Sequence, residues 1–276
     1  MMGLQILFQN KAKKLQKFFS HKFSQNIWRI LPDSDPDSDL WAIELRDVQE
    51  KKVYFAIVDL AGPFLKWITS PEGTDWWTSL TAFSFGNIFL HNYRYPDLPE
   101  PTDLLLLARE SGEVKWALPN FLLVKPIDKQ NIEIATRKGD QFLYFKCDPE
   151  IGEALVPSQN DNQIVEQVIL GEPIRYKEGN PYFERLASFI KEHTAGHQPI
   201  SIDYLEKRPI MMFSYYIYEH EKTVEYLLVV TNKMERILHE RLSEGRDGIG
   251  RSTMYLKGSR LVFFKNNNEF SSLTLS

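Results

Sequence analysis

From Trp28 onward the chain alternates apolar and polar positions with a period of two, in short runs rich in Ile, Val, Tyr, Phe and Trp. Gly, Asn and Pro punctuate the runs, and three of them align as strand, turn, strand. Val53–Asp59 turns at Gly62 and leaves through Phe64–Trp67. Asp103–Ala108 turns at Ser111 and Gly112 and leaves through Glu113–Trp116. Gln141–Lys146 turns at Gly152 and leaves through Glu153–Leu155. Looser copies are Tyr226–Val230, turning at Asn232 and Lys233, and Leu261–Phe264, turning at Asn266–Asn268. Gly and Asn tolerate the positive φ that tight hairpins demand. Gly62, Gly112 and Gly152 lie 50 and 40 residues apart, close to the blade period of propellers.

Two stretches carry a helical period instead. Leu4, Phe8, Ala12, Leu15, Phe19 and Phe23 recur at three- and four-residue intervals, with Lys13, Lys14, Lys17 and His21 on much of the remaining surface. This predicts a basic amphipathic helix over residues 1–26 that docks its stripe on the rest of the chain, with a membrane surface as the alternative partner. Near residues 180–195, Asn180 reads as a cap and Pro181 as a first-turn residue. Leu186, Phe189, Ile190 and His193 share a face, and Gly196 ends the run. The expected fold is all-β: an irregular propeller-like array of antiparallel hairpins, about five or six blades by analogy with radial repeats, forming a single domain over residues 27–276 with one inserted helix. A two-sheet sandwich is the alternative. Since the repetitive pattern begins after Gln25, residues 1–26 are expected to be dispensable for folding.

The stretch Ser111–Trp116 resembles the strand-Gly-x-x-x-Trp hairpin of quinoprotein-type and tryptophan-aspartate propeller repeats. More broadly, Trp76–Phe83 through Trp116–Asn120 resembles an uncharacterised family of Bacteroidota known only as a domain of unknown function. That resemblance spans most of the chain after residue 27 and implies a bacterial protein, but no activity. The chain departs from true repeats in having no regular Trp-Asp dipeptide and in its drifting spacings.

Composition sharpens the class without supplying chemistry. Over 276 residues, 43% hydrophobic and 25% charged content is that of a soluble globular chain, and 13% aromatics favours strands. The single cysteine, Cys147, excludes an intramolecular disulfide and fits a reducing compartment. Lysines 11, 13, 14 and 17 interrupt any secretory h-region, and no apolar run is long enough to span a bilayer, so a cytoplasmic address is expected. The net charge of −4 conceals an asymmetry, because the first 32 residues hold five Lys and Arg29 with no acid, leaving −10 for the remainder. An acidic body argues against nucleic acid as a partner.

No candidate motif is complete. Asp33, Asp35, Asp37, Asp39 and Glu44 follow part of a calcium-loop spacing, but Ser38 stands where that loop needs Gly and Glu44 falls in a strand run. His193 and His197 have the spacing of a helical metal pair, yet Thr194 replaces the Glu of a zincin and Gly196 breaks the helix between them. His21, His91, His220 and His239 show no ligand spacing, so no metal and no cofactor are expected. Ser84 lacks the preceding Gly of a nucleophile elbow. Cys147 reads as a buried structural thiol. The loop Gly245–Arg251 is glycine-rich and basic, which makes Arg246 and Arg251 phosphate-binding candidates, although it opens no helix whose dipole would help. The segment His91–Pro101 is too proline-rich for a central strand. Its His91, Tyr93, Arg94 and Tyr95 are the candidate binding residues, because Tyr and Arg dominate binding hot spots. The expected function is a non-enzymatic binding or scaffold module presenting loops to a protein or small ligand. The alternative is an enzyme with a carboxylate or His cluster at a propeller's central channel.

Overall fold

A computed structural model describes residues 18–95, 97–98, 100–157 and 170–275. These residues form 22 strands and one helix, and they divide into two compact units, residues 24–168 and residues 1–23 with 169–276. The first strand among the described residues is β1 (Phe18–Lys22). The first unit holds three four-stranded antiparallel meanders. They are β2 (Asn26–Pro32), β3 (Leu40–Asp47), β4 (Lys52–Asp59) and β5 (Phe64–Thr69); β6 (Ser79–Ser84), β7 (Asn87–Asn92), β8 (Asp103–Leu107) and β9 (Val114–Pro119); and β10 (Phe121–Pro126), β11 (Ile132–Lys138), β12 (Gln141–Asp148) and β13 (Glu153–Pro157).

The second unit holds two five-stranded sheets. One runs in chain order through β15 (Ile174–Lys177), β16 (Ser201–Lys207), β17 (Ile210–Glu219), β18 (Lys222–Thr231) and β19 (Arg236–Arg241), with α1 (Phe183–His193) inserted after β15. The other orders β1, β22 (Glu269–Thr274), β21 (Arg260–Lys265), β20 (Met254–Lys257) and β14 (Leu170–Gly171). The expected all-β array of hairpin sheets is what the described residues form, in five sheets.

The repeat is sharper in three dimensions than in sequence. In all three sheets of the first unit the register shifts once between the first and second strands, between Ile27 and Arg29, Leu80 and Ala82, and Leu123 and Lys125. It shifts again between the third and fourth, at Val58, Leu107 and Cys147. The second of these irregularities recurs at Val230 in the other unit. Each bulge bends the outer strand that carries it, the first or the fourth, and increases local twist.

Apolar residues seal neighbouring sheets. Val53, Phe55, Ile57, Leu80, Phe83, Leu90 and Leu105 form one buried cluster. Phe89, Leu104, Leu106, Ile132, Ile134 and Cys147 form the next. In the second unit Phe183 and Ile190 of α1 bury against Ile202, Phe213, Tyr215 and Leu228.

Two tryptophans lock consecutive sheets of the first unit by an identical contact. Trp67 at the end of the β5 run donates its indole N–H to the Arg109 carbonyl at 2.7 Å, and Trp116 on β9 donates to the Pro149 carbonyl at 2.9 Å. Each acceptor stands three residues before a turn glycine, Gly112 or Gly152, at φ +75° and +71°. The turn is closed the same way in both, by Gly112 N–H to Ala108 O at 2.8 Å and Gly152 N–H to Asp148 O at 2.9 Å. A Cβ on Gly112 would lie 2.7 Å from the Trp67 ring, and one on Gly152 2.6 Å from the Trp116 ring. The turn therefore needs glycine twice, for its φ and for the approach of the indole.

Two expectations need correction. The N-terminal stretch is not helical through residue 26, because Phe18–Lys22 is a strand whose Phe18 and Lys22 register with Leu273 and Glu269 of β22. The three- and four-residue spacing there is overridden by an unpaired sheet edge that accepts a fifth strand. Residues 1–17 lie outside the described residues, and Phe23 is buried. Nor does Asn180 cap the inserted helix. Tyr182 is its N-cap, and the Asn180 side chain instead accepts the Tyr182 N–H at 3.0 Å in a turn before it. Gly196 follows the helix at φ +80°, as its position predicts.

Two measurements test this account. Chemical denaturation of Gly112→Ala and Gly152→Ala should show losses of about 3 kcal/mol each, the sum of left-handed backbone strain and overpacking. Gly139→Ala, at φ +64° with open space around it, should lose only about 1 kcal/mol. A chain starting at Asn26 should melt lower or aggregate, since it loses buried Phe23, worth roughly 1.5–3 kcal/mol, and bares the edge of β22. An unchanged melting temperature would remove β1 from the structural account.

Candidate functional site

One concavity of the first unit is a pocket of about 330 Å³ lined by Trp28, Arg46, Trp76, Trp77, Ser79, Tyr93 and Leu98. It is built from a buried carboxylate outward. Glu44 on β3 is fully buried. Its Oε1 accepts Arg46 Nε at 2.8 Å, and its Oε2 accepts the Leu80 amide at 2.7 Å and the Ser79 hydroxyl at 3.0 Å. The rest of the Arg46 guanidinium fastens the loop before β6, donating to the carbonyls of Trp76 and Thr78. Asp75 shapes that loop by accepting the amides of Trp77 and Thr78 at 2.8 and 3.1 Å.

The guanidinium carbon of Arg46 then lies over two indoles, 5.8 Å from Trp28 and 5.1 Å from Trp76, and Lys51 Nζ lies 4.9 Å over Trp76. Trp28 is 66% exposed and Trp77 46%. Large indoles held in the open by a buried ion pair are not explained by core packing.

Of the sequence candidates, only Tyr93 lines this pocket. His91 on β7 is buried, and its Nε2 accepts the Leu123 amide of β10 at 3.0 Å. Burial pushes its imidazole down to about 4, so it serves as a neutral link between sheets. Arg94 forms a two-pronged pair with Asp103, Nε to Oδ2 at 2.9 Å and Nη2 to Oδ1. Burial works to raise the Asp103 carboxyl, but the bonds from Arg94, Asn120 and Thr102 outweigh it and hold the group below its ordinary range. Tyr95 is exposed and lines no part of the pocket.

The glycine-rich loop is likewise turned inward. Arg246 donates to the buried Glu225 and to the Tyr216 hydroxyl, each at 2.9 Å, and Arg251 is exposed, its carbonyl accepting from Tyr216. Arg246 therefore faces a carboxylate, which is the wrong environment for a phosphate. Asp33 is buried and accepts the Gly86 amide at 2.9 Å, while Glu44 is committed as above, so the two ends of the calcium-like spacing serve different bonds. Cys147 is buried, and burial pushes its thiol up to about 11.

Sequence spacing missed one further cluster, in the second unit. Tyr215 places its hydroxyl 2.8 Å from both His197 Nδ1 and His239 Nε2, and Tyr226, which donates to Glu219 at 2.7 Å, packs its ring against both histidines. Burial lowers both imidazoles and raises the Tyr215 phenol. His193 takes no part, stacking on Phe189 instead. Among the described residues no group of three or more His, Cys, Asp or Glu is arranged to hold a metal ion.

Residues 34–116 match DUF4905, a domain of unknown function. The matched segment contains every pocket residue except Trp28. No curated protein matches the chain significantly. Solved structures that resemble it include a DUF4221 family member from Bacteroides vulgatus, at 10% identity over 96% of each chain with a TM-score of 0.33. An uncharacterised protein of Listeria monocytogenes matches at 8% identity, covering 91% of this chain and 95% of its own, with a TM-score of 0.33. The Dos1 propeller matches at 8%, covering 94% and 81%, with a TM-score of 0.24.

The His91 link sets a pH dependence. Its folded pKa of about 4 lies below the unfolded 6.5, so the unfolded chain binds the proton first. Its contribution is complete above pH 6.5 and is lost as pH falls toward 4, amounting to about 3 kcal/mol. His91→Gln should flatten the stability-against-pH curve across that window. An unchanged slope in denaturant titrations would show that His91 does not carry it.

Proposed function

We propose that the chain is a non-enzymatic binding module whose ligand seats on the indoles of Trp28, Trp76 and Trp77. The observation that carries this reading is the exposure of Trp28 and Trp77 around a guanidinium whose donors are already committed to Glu44 and to loop carbonyls. Such rings offer large, rigid contact area at low entropic cost, which is why Trp dominates binding hot spots. Among the described residues lining the pocket none is a nucleophile with a base beside it: the Ser79 hydroxyl donates to a carboxylate that Arg46 has already neutralised.

A protein or small ligand is the partner this chemistry serves, and nucleic acid is not, given the acidic body. A cytoplasmic address fits the single, buried Cys147. No helix among the described residues is long and apolar enough to cross a membrane. An enzymatic role would reside in the Tyr215 cluster, where His197 borders a cavity of about 430 Å³ with Glu178, Glu184 and Lys191. There the hydroxyl that orients His197 is shared with His239.

The test is a screen of peptides, oligosaccharides, nucleotides and lipid headgroups against the ¹⁵N-labelled chain, reading the indole N–H signals. At least one class should shift Trp28 and Trp77, and Trp77→Ala should abolish its binding while changing stability by less than about 1 kcal/mol, as for an exposed side chain. If no class moves these signals, the pocket is not a binding site.

A further inference from the structure

Resting on that reading, we infer that the pocket recognises an acidic, proline-containing peptide segment of a partner protein. Three observations on the pocket select the ligand.

The first is charge. Arg46 lies over Trp28 and Trp76, and Lys51 lies over Trp76. The π-faces that would attract a cationic ligand already hold the protein's own cations, so a methylated lysine or other ammonium group is repelled. Glu44 is buried beneath and spent on Arg46, Ser79 and Leu80, and no carboxylate is among the described residues that line the pocket. Lys51, exposed over Trp76, is the cation left for a negative group on a ligand to meet.

The second is hydrogen-bond polarity. Arg46 and Ser79 are spent on Glu44 and the loop carbonyls, so the lining offers its indole N–H groups and the Tyr93 hydroxyl, and among the described residues it has no carboxylate, Asn or Gln. It is rich in donors and poor in acceptors. A sugar ring stacks on indoles too, but each of its hydroxyls brings a donor that needs an acceptor, and leaving such donors unmet in a closed contact is costly. A prolyl residue brings none. Its ring is apolar, its nitrogen has no proton, and its carbonyl accepts, which matches indole and phenol donors. Aromatic-lined grooves that take polyproline II segments exploit this match, at a low ordering cost because the segment is already extended.

The third is the chain's own wall. Leu98 closes one side of the pocket and comes from a proline-rich stretch, Pro-Asp-Leu-Pro-Glu-Pro from position 96, whose Asp97 and Glu100 are not among the lining residues. The indoles already face an apolar side chain carried on a proline-rich segment.

The experiment titrates the full chain with four probes while reading the Trp28 and Trp77 indole signals. The probes are an acetylated, amidated peptide of prolyl pairs separated by single glutamates, its twin with lysine for glutamate, its twin with alanine for proline, and maltohexaose. The first peptide should shift both indoles and saturate, and the two twins should bind at least tenfold more weakly. Binding of the first peptide should weaken with added salt, as expected for contacts to exposed cations. Trp77→Ala and, independently, Lys51→Glu should each weaken it at least tenfold, with the circular dichroism spectrum of each variant unchanged. Equal binding by either twin overturns the inference. A response to maltohexaose with the peptide silent overturns it while leaving the aromatic pocket a binding site. Silence from all four overturns it, and the wider screen then decides whether the pocket binds at all.

Discussion

The constraint on which the first unit depends is the seat of an indole on a glycine. A four-stranded meander has two edges, and sheets laid side by side need something that fixes one against the next. Trp67 and Trp116 supply it, each closing on the turn of the following sheet with the same acceptor offset and the same turn hydrogen bond. The contact is specific because it has two conditions, a donor that must find a carbonyl and a flat ring that must find a residue with no side chain. Apolar clusters between sheets provide the bulk of the burial, but hydrophobic contact is non-directional and would tolerate sliding. The indole lock would not.

A second rule runs through both units. Acids buried on strands recruit cations that stand nearer the surface, as in Glu44 with Arg46, Asp103 with Arg94, Asp203 with Arg175 and Glu225 with Arg246. A buried carboxylate without such a partner would be strongly destabilising, so the pairing is obligatory once the acid is inside. The cations then do more than neutralise, because their remaining donors hold loops. Arg46 fixes the loop carrying Trp76 and Trp77, and Arg175 binds the Gly250 carbonyl of the glycine-rich segment at 2.8 Å.

This rule explains what could be read from the chain and what could not. Period-two runs, turn glycines and the Gly112-to-Trp116 hairpin were legible because strand alternation and positive φ are local properties. The strand at Phe18–Lys22 was not, because its partner β22 lies some 250 positions away and the local spacing suits a helix equally well. The pairing of two candidate arginines was hidden for the same reason, whereas Tyr93 does line the pocket. Arg94 and Arg246 on polar loops look available in sequence, and only the fold reveals that Asp103 and Glu225 claim them. Trp76 and Trp77 stood in plain view, but their significance required Trp28, Arg46 and Glu44, which sit on two other strands. The Tyr215 cluster joins His197 and His239 across 42 positions and leaves no spacing signal.

The six tryptophans show how far structure and function can be separated in such a chain. Trp41 is fully buried, and Trp67 and Trp116 are spent on the glycine seats. The remaining three gather at one pocket, two of them open to solvent. An exposed indole adds little to stability, and it is the gathering of three at one pocket on which the proposed binding role rests. What makes that role credible is rigidity. The loop that carries Trp76 and Trp77 is pinned by Arg46 and turned by Asp75, and Trp28 stands on a strand. A ligand meeting these rings has little ordering left to impose, and stacking energy that would otherwise be spent on fixing mobile side chains remains available for affinity. The buried Glu44 that orders the platform also keeps its own charge out of the ligand's reach, so one ion pair both builds the site and sets its polarity.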